Sequence, residues 1–209
     1  HAAQPEILSI QQSLPGVQEE RIRHGLMTEA ERPANVPVGR YEKFELRVEL
    51  QARYENPFDP DDIDLSADFT APSGRTWHVW GFFNPSSSMV LWMIRFTPTE
   101  TGTWRYVVRV RDREGATASR PAEFEVAASP HHGFIGVAQN RRYLQYSDST
   151  PFYGVGLWYN DAYELPNQGS ITEAELDKLK LHGLNFISFY STPLENMATG
   201  VGRYDTGRA

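Results

Sequence analysis

The chain of 209 residues contains no cysteine, which excludes a disulfide framework, thiol catalysis and thiolate metal sites while leaving the compartment open. No run of 18 apolar residues occurs, so no membrane-spanning helix is expected. Positive charge is scarce: 20 Lys and Arg stand against 27 Asp and Glu, a formal net charge of -7. That balance argues against a nucleic acid gripped through its phosphates and against an anionic membrane surface. Repeats and low-complexity tracts are missing as well. The chain opens at His1 rather than Met, which is compatible with a removed signal peptide or tag.

What is present is apolar and aromatic: 40% hydrophobic and 12% aromatic residues suffice, at this length, for one good core and two domains. The stretch from Pro151 to Tyr190 reads as strand, loop, helix, strand. Phe152, Tyr153, Val155, Leu157 and Trp158, with Gly154 and Gly156 between them, have the profile of a strand buried on both faces. After a polar loop from Asn160 to Gly169, Ser170 with Glu173, or Thr172 with Glu175, offers a capping box. The helix so begun carries Leu176 and Leu179 on one face, basic residues in its later part, and Gly183 as its left-handed terminator. Leu184 to Tyr190 is a second apolar strand. The expectation is a right-handed βαβ crossover with parallel strands, and such a pair needs neighbouring strands to be stable.

Residues 1–38 form an N-terminal extension with a short candidate strand at Glu6–Ile10 and no assigned role. From Tyr41 onward Phe44, Leu46, Val48 and Leu50 alternate with Glu45, Arg47, Glu49 and Gln51, the period of a half-buried antiparallel strand. Comparable strands recur around Leu65–Phe69, Trp77–Phe83, Val90–Phe96, Trp104–Val110 and Phe124–Val126, broken by Pro72-Ser73-Gly74, Asn84-Pro85-Ser86, Thr101-Gly102 and Glu114-Gly115. Residues 39–128 therefore read as a two-sheet β-sandwich with Trp92, Phe96, Trp104 and Tyr106 as its bulkiest core. The break from Ala127 to Gly133 is the best domain boundary, and a hairpin follows it.

Several of these segments together resemble a known arrangement. Tyr54-Glu55-Asn56-Pro57-Phe58-Asp59-Pro60, Phe69 to Gly74, Gly81-Phe82-Phe83 and Arg95 to Trp104 are similar to the Ig-like domain of unknown function that precedes bacterial glycoside hydrolase barrels. Gly133-Phe134-Ile135, Arg142-Tyr143-Leu144 and Thr150 to Gly156 resemble the start of an apiosidase-like or cellulase-like (β/α)₈ barrel. The resemblance implies an Ig-like β-sandwich followed by the start of a (β/α)₈ barrel over residues 133–209, incomplete because such a barrel runs to about 250 residues. It further implies a secreted or periplasmic protein acting on carbohydrate, completed by the remainder of the barrel from the same protein or a second chain. Its catalytic carboxylates would lie beyond this chain. The alternative is a non-catalytic carbohydrate-binding or spacer module.

Barrel ligands bind at the C-terminal strand ends, so Trp158, Tyr159, Asn160, Asp161 and Tyr190, with Ser191 and Thr192, are the expected substrate contacts. Aromatic faces stack on pyranose C–H surfaces, and Asn or Asp side chains bind paired hydroxyls. The competing use of Trp158 and Tyr190 is to cap a core. Asp161, Glu164 and Glu195 are carboxylates near that face, but the pair needed for glycoside hydrolysis belongs to later strands, and loop solvation is their ordinary use. No catalytic residue is assigned, and no cofactor or metal is implied. Asp59, Asp61, Asp62 and Asp64 are spaced like a calcium loop yet lack its glycine and closing glutamate, so a solvated turn is expected. His131-His132 has no third ligand at metal spacing. Trp77 and Trp80 fall on opposite faces of one strand, which offers at least one indole as an outward sugar-binding platform, while core or interdomain packing is the more common use of such side chains.

Overall fold

The computed structural model describes residues 4–13, 36–51, 54, 56–84, 91–159 and 173–189. The chain divides into two compact units, His1–Phe134 and Ile135–Ala209.

The N-terminal unit contains β1 (Ile7–Gln12), β2 (Val38–Gly39), β3 (Phe44–Leu50), β4 (Ile63–Thr70), β5 (Thr76–Trp80), β6 (Phe82–Asn84), β7 (Leu91–Phe96), β8 (Gly102–Asp112), β9 (Ala116–Ala118) and β10 (Ala122–Ala127). They form two sheets, one ordered β1-β3-β7-β6 and one ordered β2-β10-β8-β4-β5, with β9 beside β8. Period-two alternation sends one side of each strand into a single core. Phe44, Leu46 and Val48 from β3 and Trp92, Ile94 and Phe96 from β7 meet Leu65, Ala67, Phe69, Trp104, Tyr106, Val108, Phe124 and Val126 from the other sheet. Phe44 stacks on Phe124 at 3.9 Å and Phe69 on Phe96 at 4.3 Å between ring centroids, with Phe44 edge-on to Phe69. The Trp104 indole, wholly buried, donates its N–H to the Glu100 carbonyl at 2.9 Å, which meets the polar demand a buried Trp carries. The N-terminal segment around Glu6–Ile10 supplies β1, antiparallel to β3 with a register shift between Ile7 and Ser9.

Among the described residues one carboxylate is also buried, on the side of β3 away from this core. Glu45 is 3% exposed and held by the Arg95 guanidinium, by Ser13 Oγ at 3.3 Å and by Lys43 Nζ at 3.9 Å. The Arg95 guanidinium also lies over the Phe82 ring at 4.8 Å. A buried carboxylate is tolerable only with such partners.

The C-terminal unit comprises β11 (Ile135–Val137), β12 (Leu144–Tyr146), β13 (Pro151–Phe152), β14 (Gly156–Tyr159), α1 (Glu173–Leu181) and β15 (Phe186–Phe189). β11, β12 and β13 form an antiparallel three-stranded sheet. β14 and β15 pair in parallel, Gly156 opposite Phe186 and Tyr159 opposite Phe189. After α1 the chain reverses at Gly183, whose φ of 80° is the left-handed region, with its N–H bonded to the Lys180 carbonyl at 2.9 Å. That is a common helix stop.

These observations correct the expected fold class, an Ig-like β-sandwich followed by the start of a (β/α)₈ barrel. Among the described residues strands carry almost all regular structure, and α1, nine residues long, is the one helix. A (β/α)₈ beginning needs a helix after each strand, whereas β11, β12 and β13 follow one another without any. The architecture of the described residues is all-β with one short helix. One helical crossover makes a parallel pair in any open sheet, so it could not carry a barrel. The doubly buried strand is corrected as well. Phe152 belongs to β13 rather than to the strand holding Trp158, and Tyr153, Val155, Trp158 and Phe186 are exposed. An apolar run records what a strand can bury; it does not say what covers it. The proposed capping residues Ser170 and Thr172 lie outside the described residues.

Candidate functional site

In the C-terminal unit the parallel pair is fastened at its start by Asn185. The Val155 N–H donates to Asn185 Oδ1 at 2.8 Å, Asn185 Nδ2 donates to the Tyr153 carbonyl at 3.0 Å, and the Asn185 backbone N–H donates to the Val155 carbonyl at 2.8 Å. Gly156 sits so near β15 that a Cβ there would fall 1.8 Å from the Phe186 carbonyl oxygen. Neither role was legible from residue type alone, although a polar residue just ahead of an apolar run is the signal that points to Asn185. These contacts set the strand pair at whose far end Trp158 lies opposite Ser188, and Tyr159 opposite Phe189. The Trp158 side chain is 58% exposed. Of the other sequence-named contacts, Asn160, Asp161 and Tyr190 lie outside the described residues, as do Glu164, Ser191, Thr192 and Glu195.

A second surface is built by the register of the N-terminal unit. The five-residue loop from Ala71 to Arg75, closed by the Ala71 N–H to the Arg75 carbonyl at 2.8 Å, pairs Thr70 with Thr76, Asp68 with His78 and Ser66 with Trp80. On the opposite edge of β4, Ser66 pairs with Arg109 and Asp64 with Arg111. Cross-strand partners share a face, so the outer side of this sheet presents Trp80, His78, Asp68 and Arg109 together. Trp77, on the other side of β5, packs against Trp104 at 5.2 Å. Trp80 is 68% exposed, the outward indole expected of this strand.

His78 stands edge-on to Trp80 with centroids 5.0 Å apart. Its Nδ1 lies 2.8 Å from Asp68 Oδ1, and Arg109 Nε donates to Asp68 Oδ2 at 2.9 Å. The His78 hydrogen bond is the main reason the Asp68 carboxyl is held below its usual pKa; partial burial pushes the other way, and Arg109 adds to the lowering. An ionised Asp68 only accepts, so Nδ1 carries a hydrogen. The sequence points to Trp80 but not to its polar partners His78, Asp68 and Arg109. The turn at Pro72-Ser73-Gly74 held the signal, because it sets the register that brings residue 68 beside 78.

The acidic loop is occupied with its own structure. Asp61 N–H donates to Asp59 Oδ1 at 2.9 Å, Arg113 pairs with Asp62 at 2.6 Å and Arg111 with Asp64 at 3.2 Å. His131 Nε2 lies 3.5 Å from Glu42 Oε1. Among the described residues no three His, Asp or Glu side chains gather as a metal site.

Residues 37–111 match a family profile described as a domain of unknown function, DUF5060. No curated protein matches the chain significantly. Among solved structures, the crystal structure of "a putative glycoside hydrolase from Bacteroides vulgatus ATCC 8482" is similar at 27% identity with a TM-score of 0.55, over 73% of this chain and 28% of that one. The chain thus spans well under a third of that protein's length. The second likeness relates part of this chain to a protein described as "a putative glycoside hydrolase".

Proposed function

We propose that this chain is the N-terminal portion of a bacterial glycoside hydrolase, secreted or periplasmic, that acts on a plant or microbial polysaccharide or oligosaccharide. The observation that carries the reading is the likeness, over 73% of the chain, to the Bacteroides vulgatus protein. The catalytic carboxylate pair is supplied by polypeptide beyond these residues, from the same protein or a second chain. Trp158, Tyr159, Asn160, Asp161 and Tyr190 contact the sugar at the end of the parallel pair. Exposed apolar side chains at Tyr153, Val155, Trp158 and Phe186 support a unit that is covered by more protein, since patches of this kind mark interaction surfaces.

The test is reducing-sugar release from a panel of polysaccharides by the longer protein and by the 209 residues alone. Turnover is expected of the first and not of the second, with Trp158→Ala in the longer protein raising KM. A longer protein inert on every glycan, or hydrolysis by the short chain, would overturn the reading. A second reading, a non-catalytic carbohydrate-binding or spacer module, is favoured by the outward Trp80.

A further inference from the structure

We propose that the outer face of the sheet formed by β4, β5 and β8 is a binding subsite for a neutral pyranose chain, with Trp80 as stacking platform and His78 and Arg109 as hydroxyl-binding groups. The inference rests on the carbohydrate reading above but not on hydrolysis.

Three observations carry it. Trp80 keeps 68% of its surface in water although its strand neighbours Trp77 and Val79 pack against the core; a solvent-facing indole has no folding role that demands its size. A pyranose ring offers a patch of polarised C–H groups on one face, complementary to the electron-rich indole face. Beside Trp80 the polar groups are braced rather than loose. Asp68 accepts from His78 at 2.8 Å and from Arg109 at 2.9 Å, which fixes the imidazole and the guanidinium through one nitrogen each while both side chains stay about half exposed, 44% and 53%. Braced polar groups lose less entropy on binding than free ones.

The span fits a short glycan. Trp80, Ser66 and Arg109 are successive partners across three strands, so the backbone positions that carry the platform and the guanidinium are about 10 Å apart, two strand spacings. That is the length of a disaccharide unit. Ser66, between them in register, is 5% exposed. Charge selects the neutral class. Arg105 pairs with Glu123, Arg109 with Asp68 and Arg111 with Asp64, so each of these guanidiniums already faces a carboxylate, and Glu125 adds a further negative charge on the same side. A polyuronate or sulfated chain would find no field to draw it, and the chain as a whole carries -7.

Affinity gel electrophoresis of the 209-residue chain tests the proposal, with hydroxyethyl cellulose, xylan, galactomannan and, as the anionic control, polygalacturonate cast in the gel. At least one neutral polysaccharide is expected to retard the wild type. Trp80→Ala should weaken that binding at least about tenfold, the scale of losing one aromatic contact. Trp80→Phe should recover part of it, and Arg109→Gln should weaken it less than Trp80→Ala does. Unchanged circular dichroism checks that each variant is folded. Retardation by polygalacturonate alone, by none of the four, or equally in wild type and Trp80→Ala overturns the subsite. If retardation survives Trp80→Ala and is lost in Trp158→Ala, the subsite falls while the hydrolase reading stands. If Trp80 binds glycan and the longer protein releases no sugar, the reverse holds.

Discussion

In the N-terminal unit Leu46, Val48, Phe69 and Trp104 are wholly buried, whereas in the C-terminal unit Val137, Tyr153, Trp158 and Leu181 keep more than half their surface in water. Both units satisfy their strand backbones by pairing, antiparallel in β3 with β7 and parallel in β14 with β15. The difference lies in what covers the side chains. Two sheets that share one core bury the inward side of each other's strands, while among the described residues of the C-terminal unit Ala138 and Phe152 are the buried apolar positions. Hydrogen-bonded pairing and side-chain burial are separate contributions, and burial supplies most of the stability. The N-terminal unit should therefore be the stable part of the chain, and the C-terminal unit the part whose stability depends on what packs onto it.

The largest effect that would sharpen this contrast is a cavity in the shared core. Trp104→Ala removes the largest wholly buried side chain and its bond to Glu100, and should cost about 3–5 kcal/mol. It would be read as a fall in urea midpoint at unchanged slope. If Trp104→Ala costs less than about 1 kcal/mol, the scale of an ordinary surface change, the core is not what holds the unit. Next comes Gly156→Ala. A Cβ placed 1.8 Å from the Phe186 carbonyl cannot coexist with the parallel register, so β14 and β15 must separate. Hydrogen exchange should then lose protection at residues 156–159 and 186–189 and keep it throughout β4 and β8. Loss of protection in β4 and β8 as well would mean that the two units share one cooperative transition, and the comparison would break.

How far the sequence could foretell this follows from the same contrast. The alternation of Phe44, Leu46, Val48 and Leu50 is read correctly because one strand's period already states which side is buried; β3 covers Phe44–Leu50. Trp92, Phe96, Trp104 and Tyr106 were legible as core for the same reason, and all four are buried. The parallel pair was legible from two apolar runs and an intervening helix ended by Gly183. Its surroundings were not, because hydropathy gives no account of neighbours. The pairing of β1 with residues 46–50 was equally hidden: Ile7 and Ile10 are three apart, across a register shift that breaks the period of two. The Trp80–His78–Asp68–Arg109 cluster needs residues from three strands, and only the register joins them.

A smaller effect comes from Glu45, the one carboxylate buried among the described residues of the N-terminal unit. Glu45→Ala removes the partner of Arg95, Ser13 and Lys43. Because the Arg95 side chain is 54% exposed, water can solvate the guanidinium once the acid is gone. The expected loss is about 1–3 kcal/mol, the range for removing a charged hydrogen-bonding partner, below that of Trp104→Ala. If instead Glu45→Ala matched Trp104→Ala in chemical denaturation, polar pairing rather than apolar burial would dominate the stable unit.

The smallest effect tests the outer face of that unit through pH. Asp68 has its folded pKa below the usual carboxylate value, chiefly through the His78 hydrogen bond, so the folded state releases this proton more readily than the unfolded chain does. The stability it contributes is present above about pH 4, the unfolded value, and disappears as pH falls through the lower folded value. Its partners are about half exposed, His78 at 44% and Arg109 at 53%, which confines the contribution to within about 1 kcal/mol. Asp68→Asn should therefore be slightly less stable than the wild type at pH 7, and the two should converge once the pH has fallen below the folded value. The comparison is best made by thermal melts at low ionic strength, since added salt screens these solvent-facing charges. A gap that persists unchanged into acid would place the effect in how the introduced amide packs rather than in the lost charge, and the ladder of Asp68 with His78 and Arg109 would then be incidental to the sheet that carries Trp80.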